Sequence, residues 1–531
     1  MSPPAVESPG AESSAPRLAL GLAGLVLALV VLNAWVSDDA YITFRVVENV
    51  LRGDGLVWNP GERVMVYTHP LWFGLLLPTS ALVGVWWASV SLGLGFTVAS
   101  LRLLVREVGA DPWRAAVVLG AFALSKTALH YGTSGLETSL LVFLVLRSLV
   151  VAERACATDH TTGHGRVLAL KAWRELGLLG VALVLTRPDA PLAVMPAFVA
   201  VLVHTRTAGL RAHARAFAPA LLVLFAWVVF ATIVYGSPLP NTALAKLGHG
   251  VPRAELLRQG VAYLASVVAW DPVVPAVIVF SMVAGRGRRA WVLGMALHLA
   301  YVTWIGGDFM NGRFYLVPFA IGLLVLTRAP AELSKPRLAG TVIGALALLG
   351  LVVGERLPFD PALPNARFGA DQSVNGVGVA DEQRYYLLAT GLFHGQHPPR
   401  HVNYRSGASM GEGDVVVARA IGFLGYGAAD RAIVIDPIGL ADPFLARFPA
   451  ARDPSWRVGH VRRALPEGYE ESVRTSRCVM EPALCRAWED VRAMTHGPLF
   501  DGARWSATWR VWTGRFDDDV DVARVFVEAA P

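Results

Sequence analysis

Long apolar segments alternate with short polar connections over the first two thirds of the chain, and the pattern stops near residue 355. Most apolar segments approach the ~20 residues that a helix needs to cross about 30 Å of hydrocarbon. The pattern predicts a polytopic all-α membrane domain over 18-354 with roughly eleven transmembrane helices, placed at 18-36, 71-105, 114-130, 138-152, 175-187, 190-203, 216-235, 261-284, 290-305, 314-327 and 338-354. The run 71-105 is too long for one simple helix, and one helix plus a partly inserted segment would fit it. Residues 1-17 have the Pro, Ser and Glu content of a disordered tail.

The last third of the chain, 355-531, has the mixed composition of a water-soluble domain. Short apolar runs alternate there with stretches that fit helices, which favours an α/β or α+β fold. Cys478 and Cys485 lie close together in this part of the chain and would pair if it faced an oxidising compartment. Their proximity alone also allows two free thiols.

Charged residues make up 17% of the chain, and the basic ones concentrate in short connections between apolar segments. Cytoplasmic loops of membrane proteins carry such an excess of Lys and Arg. The pattern predicts a bacterial inner-membrane protein with a cytoplasmic amino terminus and a periplasmic terminal domain. The basic connections are Arg102 to Arg114, Arg154 to Arg174, Arg206 to Arg215, Arg286 to Arg289 and Arg328 to Arg337. Because they set topology, the net charge of +6 implies contact with membrane lipids and no nucleic-acid partner.

This topology places nearly all the residues that could carry chemistry on the extracytoplasmic side. The outside segments are 37-70, 131-137, the turn near 188, 236-260, 306-313 and the terminal domain. The sequence contains no GxxxxGK[ST] phosphate loop, no HExxH and no Cys/His zinc spacing. Nucleotide-driven transport and zinc hydrolysis therefore lose most of their support.

The loop 37-70 opens with two adjacent carboxylates, Asp38 and Asp39. Such a pair at a membrane boundary indicates either a functional site or the cap of a helix. Apolar residues then recur at helical spacing, namely Tyr41, Phe44, Val47 and Leu51. They predict a short helix from Ala40 to Leu51 that lies on the membrane surface and that Asp38 or Asp39 caps.

A carboxylate pair followed by an interfacial helix resembles the first extracytoplasmic loop of the GT-C class of polytopic glycosyltransferases. The full run from Asp38 to Trp72 is similar to one branch, the terminal β-(1→2)-arabinofuranosyltransferases of actinobacterial cell-wall arabinan and relatives labelled flagellar motor control proteins. Further blocks fit the same branch, at 134-138, 186-189, 238-246, 306-314, 436-443 and 459-461. Single blocks are weak signals, but their order along the chain is specific.

The resemblance implies transfer of a sugar, with arabinofuranose expected, from a polyprenyl-phosphate donor to a cell-envelope glycan by inverting single displacement. One carboxylate would act as general base, with Asp38 the first candidate and Asp39 the second. Fixed positive charge would hold the leaving phosphate, and the candidates are Lys246, Arg313, Asn241 and Arg187. Basic residues at helix ends also anchor to headgroups, so that alternative stays open.

Acceptor-binding or positioning roles are expected for Glu137, His69, Asp308, Asp436 and His460. Ion pairing, helix capping and turn formation account for the same residue types. No cofactor is implied with certainty; a divalent cation such as Mg, Ca or Mn fits oxygen ligands that leave no spacing signature.

Two other functions compete with the enzyme. A lipid-linked sugar transporter would hold its polar residues near the bilayer midplane and show two related halves. A non-catalytic factor for a surface machine would match the flagellar label of some relatives. The predicted gathering of polar residues at one face, without internal duplication, favours the enzyme.

Overall fold

The structure is a computed structural model, and it describes residues 15–158, 162–247, 250–328, 335–353, 374–394, 397–451 and 456–514. Most of the predicted tail, 1–14, and the start of the predicted terminal domain, 355–373, lie outside these ranges. The described chain is mostly helical. Its first part contains α1 (Ala15–Leu32), α2 (Asp38–Arg52), α3 (Pro70–Val83), α4 (Val85–Val108), α5 (Pro112–Leu124), α6 (Lys126–His130), α7 (Thr138–Ala157), α8 (Gly163–Thr186), α9 (Pro191–His204), α10 (Leu210–Tyr235), α11 (Asn241–Leu247), α12 (Arg253–Trp270), α13 (Val273–Ala284), α14 (Arg289–Trp304), α15 (Leu316–Leu326) and α16 (Pro336–Leu348).

Two helices of the described chain, α4 and α10, are long and apolar enough to cross a membrane. The pair α12 and α13 qualifies as a third span if it is counted as one, although a 105° bend separates its halves. Six shorter apolar helices accompany them, namely α1, α3, α5, α9, α15 and α16. The chain is thus a helical membrane protein with several candidate spans, while the count of eleven stays a prediction.

Three predicted apolar runs are each broken into two helices, and one of them, 114-130, divides at Ser125 between α5 and α6. The run 71-105 divides at Gly84, whose φ of 81° is a left-handed conformation that side chains disfavour. The run 261-284 divides at Asp271 and Pro272, where proline offers no amide to continue the helix. The predicted run 261-284 therefore contains a bend, which hydropathy alone does not register, and its single crossing stays a prediction.

Basic connections predicted to share one side of the membrane do meet at one end of the bundle. Glu107, in the connection 102-114, pairs with Arg154 at 2.9 Å and also with Arg328. Glu153 pairs with Arg288 at 3.0 Å and with Arg328 at 3.2 Å. Four of the five basic connections are joined in this way. The assignment of that end to the cytoplasm stays a prediction.

The predicted helix in the first loop forms as α2, but its apolar face packs on protein. Tyr41 lies 4.8 Å from Phe423 and 5.0 Å from Tyr426, measured between ring centroids, in edge-to-face contacts. Phe423 and Tyr426 belong to the terminal part of the chain, and both sit in the same apolar core as the helices that precede residue 354. The terminal part is therefore seated on the first loop.

The terminal part is mostly helical, with a smaller sheet than an α/β or α+β domain leads one to expect. It contains α17 (Glu382–Thr390), α18 (Val402–Ala408), β1 (Val415–Val417), α19 (Ile421–Ala428), β2 (Ile433–Ile435), α20 (Tyr469–Thr475), α21 (Pro482–His496) and α22 (Gly502–Trp512). Strands β1 and β2 pair in parallel, with Val415 opposite Ile433. Cys478 and Cys485 form a disulfide.

Candidate active site

Asp38 is held by the amino terminus of α19. Its two carboxylate oxygens accept the backbone amides of Gly422 at 3.2 Å and Phe423 at 2.8 Å. Gly422 allows this approach, because a Cβ atom there would stand 1.9 Å from the carbonyl oxygen of Asp38. Burial raises the pKa of Asp38 to about 7 even though both amides favour the carboxylate.

The prediction that Asp38 or Asp39 caps α2 was wrong. The N-cap is Ser37, whose hydroxyl accepts a hydrogen bond from the amide of Ala40. Hydroxyl and carboxylate side chains both suit this position, so composition could not separate them. About two helical turns after Asp38, Arg45 donates to the carbonyls of Ala429 at 3.1 Å and Ala432 at 2.9 Å. Asp38 and Arg45 thus bracket α19 at its positive and negative ends, as its dipole favours.

Asp39 differs from its neighbour because its side chain is only partly buried and makes no hydrogen bond within the described part of the chain. Like Asp38, it lines a cavity of about 300 Å³ between the first loop, α11, α17 and the terminal part. Burial raises its pKa, while the charges of Arg313 and Lys246 act in the opposite direction. Asp39 is therefore a carboxylate that a ligand in the cavity can reach.

Lys246, near the end of α11, lines the same cavity. Its side chain is exposed to the cavity but surrounded by protein, so that burial and the charge of Arg313 lower its pKa. It forms no hydrogen bond with the described residues. Asp39 and Lys246 thus offer one free carboxylate and one free ammonium group to the same space.

A second cavity of about 150 Å³ adjoins the first and is more apolar. Lys246, Ile438, Leu440 and Gly459 line both cavities. The remaining wall of the second cavity includes Leu256 of α12 and Ile305 just after α14. Lys246 is thus the cationic group at the junction of a polar and an apolar space.

Five of the other predicted residues form a network of ion pairs and polar contacts beside Asp39. Arg313 pairs with Asp308 at 2.6 Å. Glu137 lies 3.3 Å from His69 and 3.5 Å from Arg187, which also pairs with Asp189 at 3.1 Å.

These pairs leave Arg313 and Arg187 already neutralised by carboxylates. Asp308 raises the pKa of Arg313, against the effect of burial. Arg187 stacks on Phe314 at 4.2 Å and lines neither cavity. Asp308 lines the apolar cavity. The network shapes the field around Asp39 and Lys246, and Lys246 is the predicted phosphate contact that is left unpaired among the described residues.

Asn241 and Asp436 lie behind the cavity wall. The amide nitrogen of Asn241 donates to the carbonyl of Gly439 at 2.9 Å and also lies near those of Leu440 and Asp442. The carboxylate of Asp436 accepts the amides of Ile438 at 2.9 Å and Ala441 at 3.0 Å. Both residues therefore shape the loop 436-442, whose Ile438 and Leu440 line the cavities.

His460 lines the polar cavity, as its block in the sequence suggested, and it stands edge-on to Phe309 with 4.4 Å between ring centroids. Burial lowers the pKa of His460 to about 4, so that it is neutral near pH 7. The same wall carries three cations that the sequence reasoning missed, namely Arg419, Arg457 and Arg462. The run Arg457 to Arg463 places basic residues on either side of Gly459 and His460 and was the available signal.

The sequence reasoning also missed Glu382 of α17, which lines the same cavity as Asp39. Burial, and then the charges of Asp39 and Asp38, raise the pKa of Glu382 well above its ordinary value. Tyr385, Tyr386 and His401 extend this wall. Aromatic side chains stack on the faces of sugar rings, and carboxylates accept hydrogen bonds from sugar hydroxyls. This wall therefore suits a carbohydrate.

No group of three or more His, Cys, Asp or Glu side chains comes together as metal ligands within the described residues.

Sequence comparison finds relatives with one activity. The terminal beta-(1->2)-arabinofuranosyltransferase of Mycobacterium tuberculosis is 27% identical over 417 residues, which cover 68% of this chain and 63% of that protein. The enzyme of the same name from Corynebacterium glutamicum is 28% identical over 336 residues, which cover 56% of this chain and 48% of that protein. The match thus spans about half to two thirds of each relative. No protein-family model and no solved structure matches the chain.

The matched lengths are far longer than any one motif, and both relatives belong to the branch that the motifs resemble. This chain is a distant homologue of the terminal β-(1→2)-arabinofuranosyltransferases, membrane glycosyltransferases of the GT-C class.

Proposed function

We propose that the chain transfers a sugar, with arabinofuranose the first candidate, from a polyprenyl-phosphate donor to a cell-envelope glycan. The observation that carries the proposal is that Asp39 and Lys246, both free of hydrogen bonds within the described chain, face one cavity. A general base and a cation for a leaving phosphate are the two groups that this reaction requires. The printed activity of the two relatives supplies the choice of sugar.

Asp39 is the better general base, because both oxygens of Asp38 already accept amides of α19, whereas Asp39 makes no hydrogen bond within the described chain. Asp39 would take the proton from an acceptor hydroxyl while that oxygen forms its bond to the anomeric carbon. The bond from the anomeric carbon to the phosphate oxygen breaks, and its electron pair leaves with the polyprenyl phosphate. The raised pKa of Asp39 makes it a stronger base than an ordinary aspartate.

The two adjoining cavities suit the two halves of the donor. The apolar cavity would take the first prenyl units, since its walls include Leu256 and Ile305. Lys246 at the junction would contact the phosphate, and Arg457 of the polar cavity is placed to assist it. The sugar would then lie in the polar cavity beside Asp39.

The proposed acceptor side is the wall of Glu382, Tyr385, Tyr386 and His401, because none of these four residues lines the apolar cavity. Asn241 and Asp436 act as positioning residues through the loop 436-442. The electrostatic field of the neighbouring network would set the charge states of Asp39 and Lys246. This network consists of Glu137, His69, Asp308, Arg313 and Arg187.

The proposed orientation puts this site on the periplasmic side. The disulfide between Cys478 and Cys485 supports it, because such bonds persist in oxidising compartments. The basic connections joined at the opposite end of the bundle support it as well.

The test is a transfer assay with the purified protein in lipid discs. Polyprenyl-phosphate-linked arabinofuranose, mannose and glucose are offered in parallel with an arabinan oligosaccharide acceptor. The proposal expects consumption of the arabinofuranose donor at the highest kcat/KM, and loss of this activity in Asp39→Asn. Preference for a hexose donor would correct the sugar, and a folded protein that consumes none of the donors would overturn the proposal.

A further inference from the structure

Helix α22, the last helix that the structure describes, carries three tryptophans on one face. Trp505, Trp509 and Trp512 follow at spacings of four and three residues, which aligns side chains on a helix. Trp509 is 70% exposed, and Phe500, just before the helix, is 83% exposed. Exposed apolar surface gathered in this way marks an interaction site. We call Phe500, Trp505, Trp509 and Trp512 the aromatic patch.

Helix α22 is fixed against the end of α10, partly through one residue of the aromatic patch. Arg504 is buried and donates to the carbonyl of Val234 at 3.1 Å. The indole N–H of Trp512 donates to the carbonyl of Gly236 at 2.8 Å. An ion pair between Arg510 and Asp490 ties α22 to α21 as well. The aromatic patch therefore has a set height and direction relative to α10.

Helix α10 locates the aromatic patch relative to the bilayer. It is one of the two helices that qualify as membrane spans by themselves, and its basic residues, Arg211 and Arg215, lie near its amino end. The 20 residues that follow, 216-235, rise about 30 Å at ~1.5 Å each, which matches the hydrocarbon thickness. Tyr235 and Gly236 then lie at the opposite boundary, and the aromatic patch lies beside them.

We propose that the aromatic patch inserts into the headgroup region of the bilayer and anchors the terminal part of the chain to the membrane. Tryptophan is enriched at this depth because its ring is apolar and its N–H is polar. The indole N–H of Trp509 has no hydrogen-bond partner among the described residues, so a headgroup can accept it. The exposed flank of α10, including Phe225 and Phe230, continues as apolar surface towards the aromatic patch.

The consequence is that a lipid contact steadies the wall of the candidate active site. Helices α21 and α22 share a core with Ile435 and Phe444, which stand beside the loop 436-442. That loop supplies Ile438 and Leu440 to both cavities. The anchor would thus hold the terminal part over the membrane end where the donor enters. It does not depend on which sugar is transferred.

The experiment attaches a nitroxide spin label to single cysteines in the full-length protein in lipid discs. Cys156, the free cysteine of the described chain, is first changed to Ser, and the disulfide is left intact. One label is placed by Trp509→Cys and the matched control by Ala503→Cys, which is also exposed but lies on another face of α22. Paramagnetic relaxation by oxygen, which dissolves in lipid, is compared with relaxation by a water-soluble nickel chelate.

Membrane insertion predicts a severalfold higher ratio of oxygen to nickel accessibility for the label at 509 than for the label at 503. Equal access of the nickel chelate to both labels would place the aromatic patch in water and overturn the proposal. Loss of both relaxation effects at 509, with dipolar broadening between labels, would mean that a second copy covers the aromatic patch and would also overturn it.

Discussion

Replacement of each of the two adjacent aspartates by asparagine should have clearly different effects on turnover. Asp39→Asn keeps the shape of the side chain but removes the proposed base. Loss of a general base costs about 10²- to 10⁴-fold in rate, which corresponds to roughly 3 to 5 kcal/mol of transition-state stabilisation. Because Asp39 makes no hydrogen bond within the described chain, the melting temperature should stay close to that of the wild type.

Asp38→Asn should have the weaker effect on turnover. The asparagine carbonyl can still accept the amide of Phe423, while its NH₂ group faces the amide of Gly422. One unsatisfied buried amide costs about 1–3 kcal/mol. Removal of a buried charge offsets part of this cost, since the pKa of Asp38 is raised to about 7. We expect kcat within about tenfold of the wild type.

The assay is single-turnover transfer in lipid discs, with thermal unfolding of the same preparations. The reasoning is refuted if Asp38→Asn is as inactive as Asp39→Asn while both unfold at the wild-type temperature. It is equally refuted if Asp39→Asn retains more than a tenth of the activity. Either result would return the role of base to Asp38 or to Glu382.

Three further predictions concern the same site. The kcat/KM should fall as pH drops through a pKa above the ordinary aspartate value of about 3.9, because burial raises the pKa of Asp39 and only its ionised form accepts a proton; a limb at or below pH 4 in the pH–rate profile would contradict this. Lys246→Met should raise the donor KM about tenfold or more, as expected for loss of a charged hydrogen bond, with Lys246→Arg partly restoring it; an unchanged donor KM would remove Lys246 from the phosphate site. Gly422→Ala should lower the melting temperature sharply, because its Cβ would stand 1.9 Å from a carbonyl oxygen, whereas Gly95→Ala in α4 has open space and should not; equal melting temperatures for the two variants would contradict the packing of α2 on α19.

Local patterns in the sequence predicted the features that depend on neighbours along the chain. The spacing of Tyr41, Phe44 and Val47 predicted α2, and the short sequence separation of Cys478 and Cys485 allowed their disulfide. The motif blocks identified residues that the fold then brought to one region, including Asp39 and Lys246. These features need no knowledge of which distant segments meet.

Contacts between distant segments could not be predicted in this way. The partners of Asp38 lie 384 and 385 residues further along the chain, so nothing near the pair distinguishes Asp38 from Asp39. The apolar face of α2 suits contact with lipid and contact with protein equally well. The sequence pattern therefore could not show that α2 packs on the terminal part and not on the membrane surface. Glu382 was not predicted as a site residue, because no motif in the neighbouring sequence distinguishes a single carboxylate in a helix of the terminal part.

The most direct test of the central claim measures both products of the transfer at once. Polyprenyl-phosphate arabinofuranose and an acceptor oligosaccharide are incubated with the protein in liposomes, and free polyprenyl phosphate and extended oligosaccharide are quantified by mass spectrometry. The account predicts that the two products appear in equal amounts with the wild type and that neither appears with Asp39→Asn. Donor that crosses to the other leaflet unchanged, with no extended oligosaccharide, would contradict the account and indicate a transporter.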